Sequence, residues 1–517
     1  MIYFIYLLIL VFIALLLLKL SSFRRHSSLA PARTNALEHD DLLTLLDKFN
    51  YTHDNGVCHG FTLTWAQEAA QGYDVQFYNR LNLIKREKDT LADSLQRITE
   101  KIKSSRTLSK REEKRTEIRP FLEAICLAQS PEDYPDVYAK AIQQSNIDTI
   151  YKIIRLNLSK KQNTVKSLLN KTMSMANPEE LTEFLTRCNN LLTIKNQVVV
   201  VFSSEEHTVG FKKQADNTWL FMDINHLYEQ SEDYPYQILT SEELCPKLYG
   251  SLFETSEQLV CHCCFIAKSG QKKLNQNLSA LNTLYPITAE NLQISNCRGF
   301  GLLALAVQND DITAVRKILR IHQTSSILSS SELENALFYA AACNRFTIMK
   351  LLSTIPGLDL NSACSGDDSA LAVACRYGHE AIVRLLLDNP SIQVDVRSTK
   401  NMTPLMLACR SSSTVTNRDL FQLLLEAGAN LDLRNSDGQT AADLAQDYDN
   451  NAALQAIASY SIKTGYKPKP DASSLLATKK EVPGLVSFLS HSLFGGNKAK
   501  MPFSAAPCTE LSRSLNI

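Results

Sequence analysis

Cys58 is the residue with the clearest chemical prospect. It stands in the run Gly56-Val57-Cys58-His59-Gly60-Phe61, which leads from a glycine-flanked turn into the helix-forming Thr62-Leu63-Thr64-Trp65-Ala66-Gln67. A cysteine at a helix start meets unpaired N–H groups and the positive end of the helix dipole, and both favour a thiolate. The same N–H groups can stabilise an oxyanion when a carbonyl is attacked. Taken alone, the run also fits a buried structural cysteine.

A base and an orienting acid lie further along. Residues 197–202, 207–211 and 219–223 are short β-branched and aromatic runs separated by polar turns, and so predict adjacent strands; 259–266 predicts another. On paired strands His207, near one start, and Asp223, at the neighbour's end, come side by side. Asp223 can then hold the imidazole in the tautomer that takes a proton from Cys58. Separately, the two fit a surface histidine and a strand-end turn residue.

Two other clusters were weighed. Cys261-His262-Cys263-Cys264 has metal-ligating residue types, but alternate residues of a strand point to opposite faces and no second C-x-x-C cluster exists, so buried strand thiols are expected. His53 and His59 flank Cys58 and could tune it, although surface positions are expected for both. The chain has no P-loop, no G-x-G-x-x-G after a strand and no H-E-x-x-H. No cofactor is expected.

Over 41–227 the chain resembles papain-like cysteine peptidases of the Yersinia YopT type. The resemblance rests on Cys58 at a helix start, Trp65 one to two turns on, a distant strand-borne His207 and a strand ending in Asp223. It implies Cys58 as nucleophile, His207 as general base and Asp223 as orienting acid. That family also places an upstream polar side chain in its oxyanion hole, for which Asn55 is the nearest candidate here.

The elements around these residues divide the chain. Between Met1 and Leu18 it is almost wholly Ile, Leu, Phe, Tyr and Val, followed by Lys19, Arg24 and Arg25. About 18 apolar residues at ~1.5 Å each nearly cross a ~30 Å hydrocarbon layer. Charge after the run rather than before it, with no small-residue cleavage site, predicts a membrane anchor over 1–20 with the rest of the chain on the cytosolic side. A polar linker is expected over 21–36, and an α+β papain-like domain over 37–290. Within that domain 74–114 predicts a solvated helix pair, and 123–192 further amphipathic helices.

From Gly301 a repeat begins. Leu303, Leu337, Leu371 and Leu405 each fall 34 residues after the last, in Ala- and Leu-rich helical segments, and 441–445 continues the series. Thr403-Pro404-Leu405 has the cap and first-turn proline of a helix start, and Gly428 follows a helix end. These residues resemble the ankyrin family over 297–464, about five repeats of a β-turn and two antiparallel helices. The resemblance implies an all-α solenoid and a host-protein partner bound by its concave face; Arg376, Tyr377, Arg410 and Arg434 are the candidate contacts. The first repeat lacks the Thr-Pro start. As a separate domain the stack is expected to act independently of Cys58, and charge reversal at Arg376 and Arg410 is expected to leave folding intact.

Lys+Arg and Asp+Glu balance at 54 each, which argues against a large nucleic-acid surface. The 13 cysteines are odd in number and dispersed, as expected of a reducing compartment rather than a disulfide framework. The tail 465–517 is polar and expected to be flexible. With its terminal Leu515 and Ile517 it is similar to translocation signals, and the domain order to the ankyrin-repeat effectors that Legionella-type bacteria inject into host cells. The function expected is a secreted, membrane-associated thiol hydrolase, first of all a protease. A deamidase, an acyltransferase and a non-catalytic scaffold stay open as alternatives.

Overall fold

The computed structural model of the chain describes residues 37–51, 56–131, 134–138, 146–154, 164–253, 257–363, 368–411, 414 and 417–466. The anchor expected between Met1 and Leu18, Asn55 and His53, and nearly all of the tail lie outside them. Among the described residues no helix is long and apolar enough to cross a membrane.

Among the described residues six strands form one antiparallel sheet: β1 Val165–Met175, β2 Val199–Ser203, β3 Thr208–Ala215, β4 Thr218–Met222, β5 Gln237–Thr240 and β6 Leu259–Lys268, in the order β1-β6-β2-β3-β4-β5. Strand β2 is buried on both faces, which is why its sequence is a continuous Val-Val-Val-Phe run. Val199 and Val201 pack towards the Cys58–Ala69 helix and its neighbours, while Val200 and Phe202 pack towards the helices Pro178–Leu191, Ser241–Phe253 and Lys272–Leu284. The result is a sheet between two helical layers.

Two strands depart from the sequence expectation. Strand β1 falls in the region expected to be helical, and β5 in a stretch assigned no element. Both are edge strands, and β1 carries polar residues at Lys166, Ser167 and Asn170, so neither shows the apolar alternation of a covered strand. The charge-rich stretch also differs: it forms Asp74–Glu87, Leu91–Lys103 and Lys110–Thr116, and the first of these buries Phe77, Tyr78, Leu81 and Ile84.

Two glycines set the depth of the Cys58 helix. A Cβ on Gly60 would lie 2.0 Å from the Ile125 carbonyl oxygen, so only glycine lets this helix sit against Ile118–Gln129. On β3, a Cβ on Gly210 would lie 2.6 Å from the Trp65 ring, so the bare backbone there receives the indole.

Beyond the sheet come five helix pairs: Leu302–Gln308 with Ile312–Ser325, Ser330–Ala342 with Phe346–Leu352, Ala370–Tyr377 with Glu380–Leu387, Pro404–Arg410 with Arg418–Glu426, and Ala441–Asp447 with Asn451–Thr464. Ser369, Thr403 and Thr440 each cap a first helix by accepting from a backbone N–H three residues on. The first pair, which has no Thr-Pro start, is capped from outside. Glu332 of the second pair accepts from Gly301 N–H at 2.8 Å and Ala304 N–H at 2.9 Å.

The stack is packed on the sheet rather than tethered to it. Val260 of β6 shares an apolar cluster with Leu292, Leu302 and Leu303. The Thr172 hydroxyl on β1 donates to Asp311 at 3.0 Å, and Asp311 in turn caps Ile312–Ser325.

Candidate functional site

Cys58 is the first residue of its helix, as its sequence context predicts, and is half-buried. His207 lies in the β2–β3 turn, one residue before β3, and Asp223 one residue after β4. Antiparallel pairing of Gly210 with Met222 brings these two ends together. His207 Nε2 donates to Asp223 Oδ1 at 2.8 Å, and the Cys58 thiol lies near enough to the same imidazole to act on its charge. With Nε2 held by the carboxylate, Nδ1 is the ring nitrogen left to meet the sulfur.

The electrostatics follow from burial opposed by pairing. Burial acts to lower the His207 pKa, but the bond to Asp223 and then the nearby Cys58 thiol outweigh it and raise the pKa to about 10. Burial acts to raise the Asp223 pKa, but the bond to His207, its charge and the Asn225 N–H hold the carboxyl below the usual carboxylate range. The Asp223 side chain is only 1% exposed, so its field on the imidazole is little screened by water. An imidazole held by a carboxylate beside a thiol is the arrangement in which the ring can exchange a proton with the sulfur during attack on a carbonyl carbon.

The helix start supplies donors. Val57 N–H is given to His39 Nε2 at 3.4 Å and Gly60 N–H to Gln129 at 2.9 Å. Cys58 and His59 open the helix, and first-turn N–H groups are donors of the kind that an oxyanion beside the sulfur needs.

Several neighbours were not legible in sequence. His39 reaches the site from the helix His39–Lys48, and burial, then the charge of His207, lowers its pKa. The Glu206 carbonyl accepts from the Cys58 thiol at 3.6 Å. Neither residue lies in a motif, and each arrives by tertiary packing alone. His59 corrects an expectation: it is not a surface histidine. Its Nδ1 lies 3.3 Å from the Thr208 hydroxyl, its Nε2 is buried without a hydrogen-bond partner, and burial, then the charge of His262, lowers its pKa to about 4. His59 lines a cavity of about 270 Å³ with His262 and Asp311, where sheet and helix pairs meet.

Along β6, Cys261 and Cys263 pack on one face of the sheet and Cys264 on the other. Strand alternation separates them, and among the described residues no three His, Cys, Asp or Glu side chains are gathered as metal ligands.

Residues 303–398 and 356–435 match the family model described as ankyrin repeats (3 copies). The chain carries ankyrin repeats. No curated protein matches the chain. On the ankyrin stack the four candidate contacts divide into two kinds. Tyr377 is 43% exposed and stacks on His379, and Arg410 lies over the ring of Tyr448, itself 49% exposed. Arg376 instead forms an ion pair with Asp368, whose side chain is 4% exposed, and Arg434 donates to the Gly438 carbonyl at 2.5 Å within its own turn. Charge reversal at Arg376 would therefore face a buried carboxylate, which corrects the expectation that it leaves folding intact.

Proposed function

We propose that this chain is a thiol hydrolase, acting as a protease on a protein that its ankyrin repeats hold. Ankyrin repeats generally bind proteins, and this one would be presented to Cys58. In this reading Cys58 attacks the scissile carbonyl and His207 passes its proton to the leaving amine. Asp223 holds the imidazole, and the N–H groups of Cys58 and His59 receive the oxyanion. Water then attacks the thioester, with His207 as base. The observation that supports this most is the buried hydrogen bond from His207 Nε2 to Asp223, with the Cys58 thiol close by at the start of its helix.

The reading places the protein inside a host cell as a secreted effector on a membrane, on the strength of the apolar run between Met1 and Leu18 and the domain order. The test is labelling by an electrophilic probe, with host-protein termini compared between wild type and Cys58→Ala. Selective labelling of Cys58, lost in His207→Ala, with new termini only for wild type, is the expected result. Labelling without new termini would leave a deamidase or acyltransferase; no selective labelling would leave a scaffold.

A further inference from the structure

The turn that carries His207 is gripped from the ankyrin side. Glu205, whose side chain is 4% exposed, accepts from Asn296 Nδ2 at 2.7 Å and lies 3.9 Å from the Arg298 guanidinium. Its backbone carbonyl accepts from Gln308 Nε2 at 2.7 Å. Arg298 also pairs with Glu206, the residue whose carbonyl accepts from Cys58. Each donor is itself aimed. Asn296 Oδ1 accepts from the N–H groups of Arg298 and Phe300, which turns its Nδ2 outward to Glu205. Gln308 ends the first helix of the first repeat, and its carbonyl accepts from the buried Arg345 of the second at 2.6 Å.

A buried carboxylate without these partners would carry an uncompensated desolvation cost, and the turn would move outward to relieve it. The strand beyond is held separately, by Thr62 donating to the Thr208 carbonyl at 3.1 Å. Loss of the grip would therefore displace Glu206 and His207 while leaving the sheet in place.

We infer that Glu205, Asn296, Arg298 and Gln308 are positioning residues through which the first ankyrin repeat sets the alignment of His207 with Cys58. This rests on the reading of Cys58 as nucleophile. It makes the repeats part of the apparatus that readies the thiol, rather than only a surface that selects its target. The charged and titratable groups about His207 are Asp223 from beyond β4, Cys58 from its helix, His39 from the first described helix and, next to it in the turn, Glu206 paired with Arg298. Gln308→Ala alters no charge, so a change in the thiol's pH profile in that variant reports movement of the turn.

The experiment uses the full chain. Iodoacetamide labelling from pH 5 to pH 10 is resolved by site, so that the exposed Cys297 is read apart from Cys58. Asn296→Asp keeps the acceptor for Arg298 and Phe300 N–H groups but replaces the donor to Glu205; Gln308→Ala and Arg298→Ala remove the other bonds. The expected result is at least about a tenfold fall in Cys58 labelling near neutral pH, a displaced pH profile in Gln308→Ala, and unfolding that stays cooperative, at a lower midpoint in Asn296→Asp, which sets a carboxylate against Glu205. Combining Glu205→Gln with Asn296→Asp restores a hydrogen bond of reversed polarity and should recover the rate. A fast wild-type Cys58 whose rate and profile hold within about twofold in all three variants overturns the inference, as does slowing that the double swap fails to recover. A wild-type Cys58 no faster than the buried Cys375 overturns the hydrolase reading itself.

Discussion

The Thr62 hydroxyl donates to the backbone carbonyl of Thr208 at 3.1 Å, tying the helix one turn past Cys58 to the strand one residue past His207. This bond is buried and spans 146 positions of sequence, so it ties together the two backbones that carry sulfur and imidazole. Thr62→Val keeps the shape and removes the donor. It should slow Cys58 labelling several-fold while changing stability by about 1–3 kcal/mol, the cost of one unsatisfied buried carbonyl. Labelling rates and denaturant midpoints measured on the same preparation check both halves.

The pairing of His207 predicts a pH dependence of definite sign. Its pKa is raised from 6.5 to about 10, so the stabilisation it brings is fully present below about pH 6.5 and is lost as pH rises through about 10. The gap in denaturant midpoint between wild type and His207→Gln should thus be largest near pH 6 and close towards pH 10. A gap that widens over that range would contradict the pairing.

Gly60→Ala places a Cβ against the Ile125 carbonyl, a backbone atom that cannot swing aside. The Cys58 helix must then lift from Ile118–Gln129, with a loss of about 1–3 kcal/mol or more and lower Cys58 reactivity. Thermal unfolding with site-resolved labelling tests this. Full retention of both would show that the helix has room to shift.

On the repeats, Tyr377→Ala with Arg410→Ala should leave folding within about 1 kcal/mol of wild type yet weaken capture of a protein partner more than about tenfold. Arg376→Glu should do the reverse of what its exposure implies. It sets a carboxylate against buried Asp368 and should lower the unfolding midpoint by more than the double alanine variant does.

What could be seen in the sequence was what repeats or alternates locally. Cys58 announces itself by its glycine-flanked helix start, His207 and Asp223 by the strand runs that end beside them, and the repeats by their regular leucines. His39, Glu205 and the edge strand Val165–Met175 carry no such period. His39 matters because a helix folds back across the Cys58 turn, and Glu205 because Asn296, Arg298 and Gln308 converge on it. Such groups acquire their role only from residues far along the chain. The same reason explains why the stack and the sheet, distinct in composition pattern, were expected to be independent.

Glu332 completes the helix start of a repeat that is not its own. The natural seam of the molecule therefore does not coincide with the sequence period. A chain cut after the first repeat would leave the opening N–H groups of Leu302–Gln308, the helix that carries Gln308, without their cap. The smallest fragment able to present an intact junction must run past 332, and grafting a foreign second repeat would need an acid at that position. At this end of the stack the unit that can be moved or exchanged is the first two repeats together.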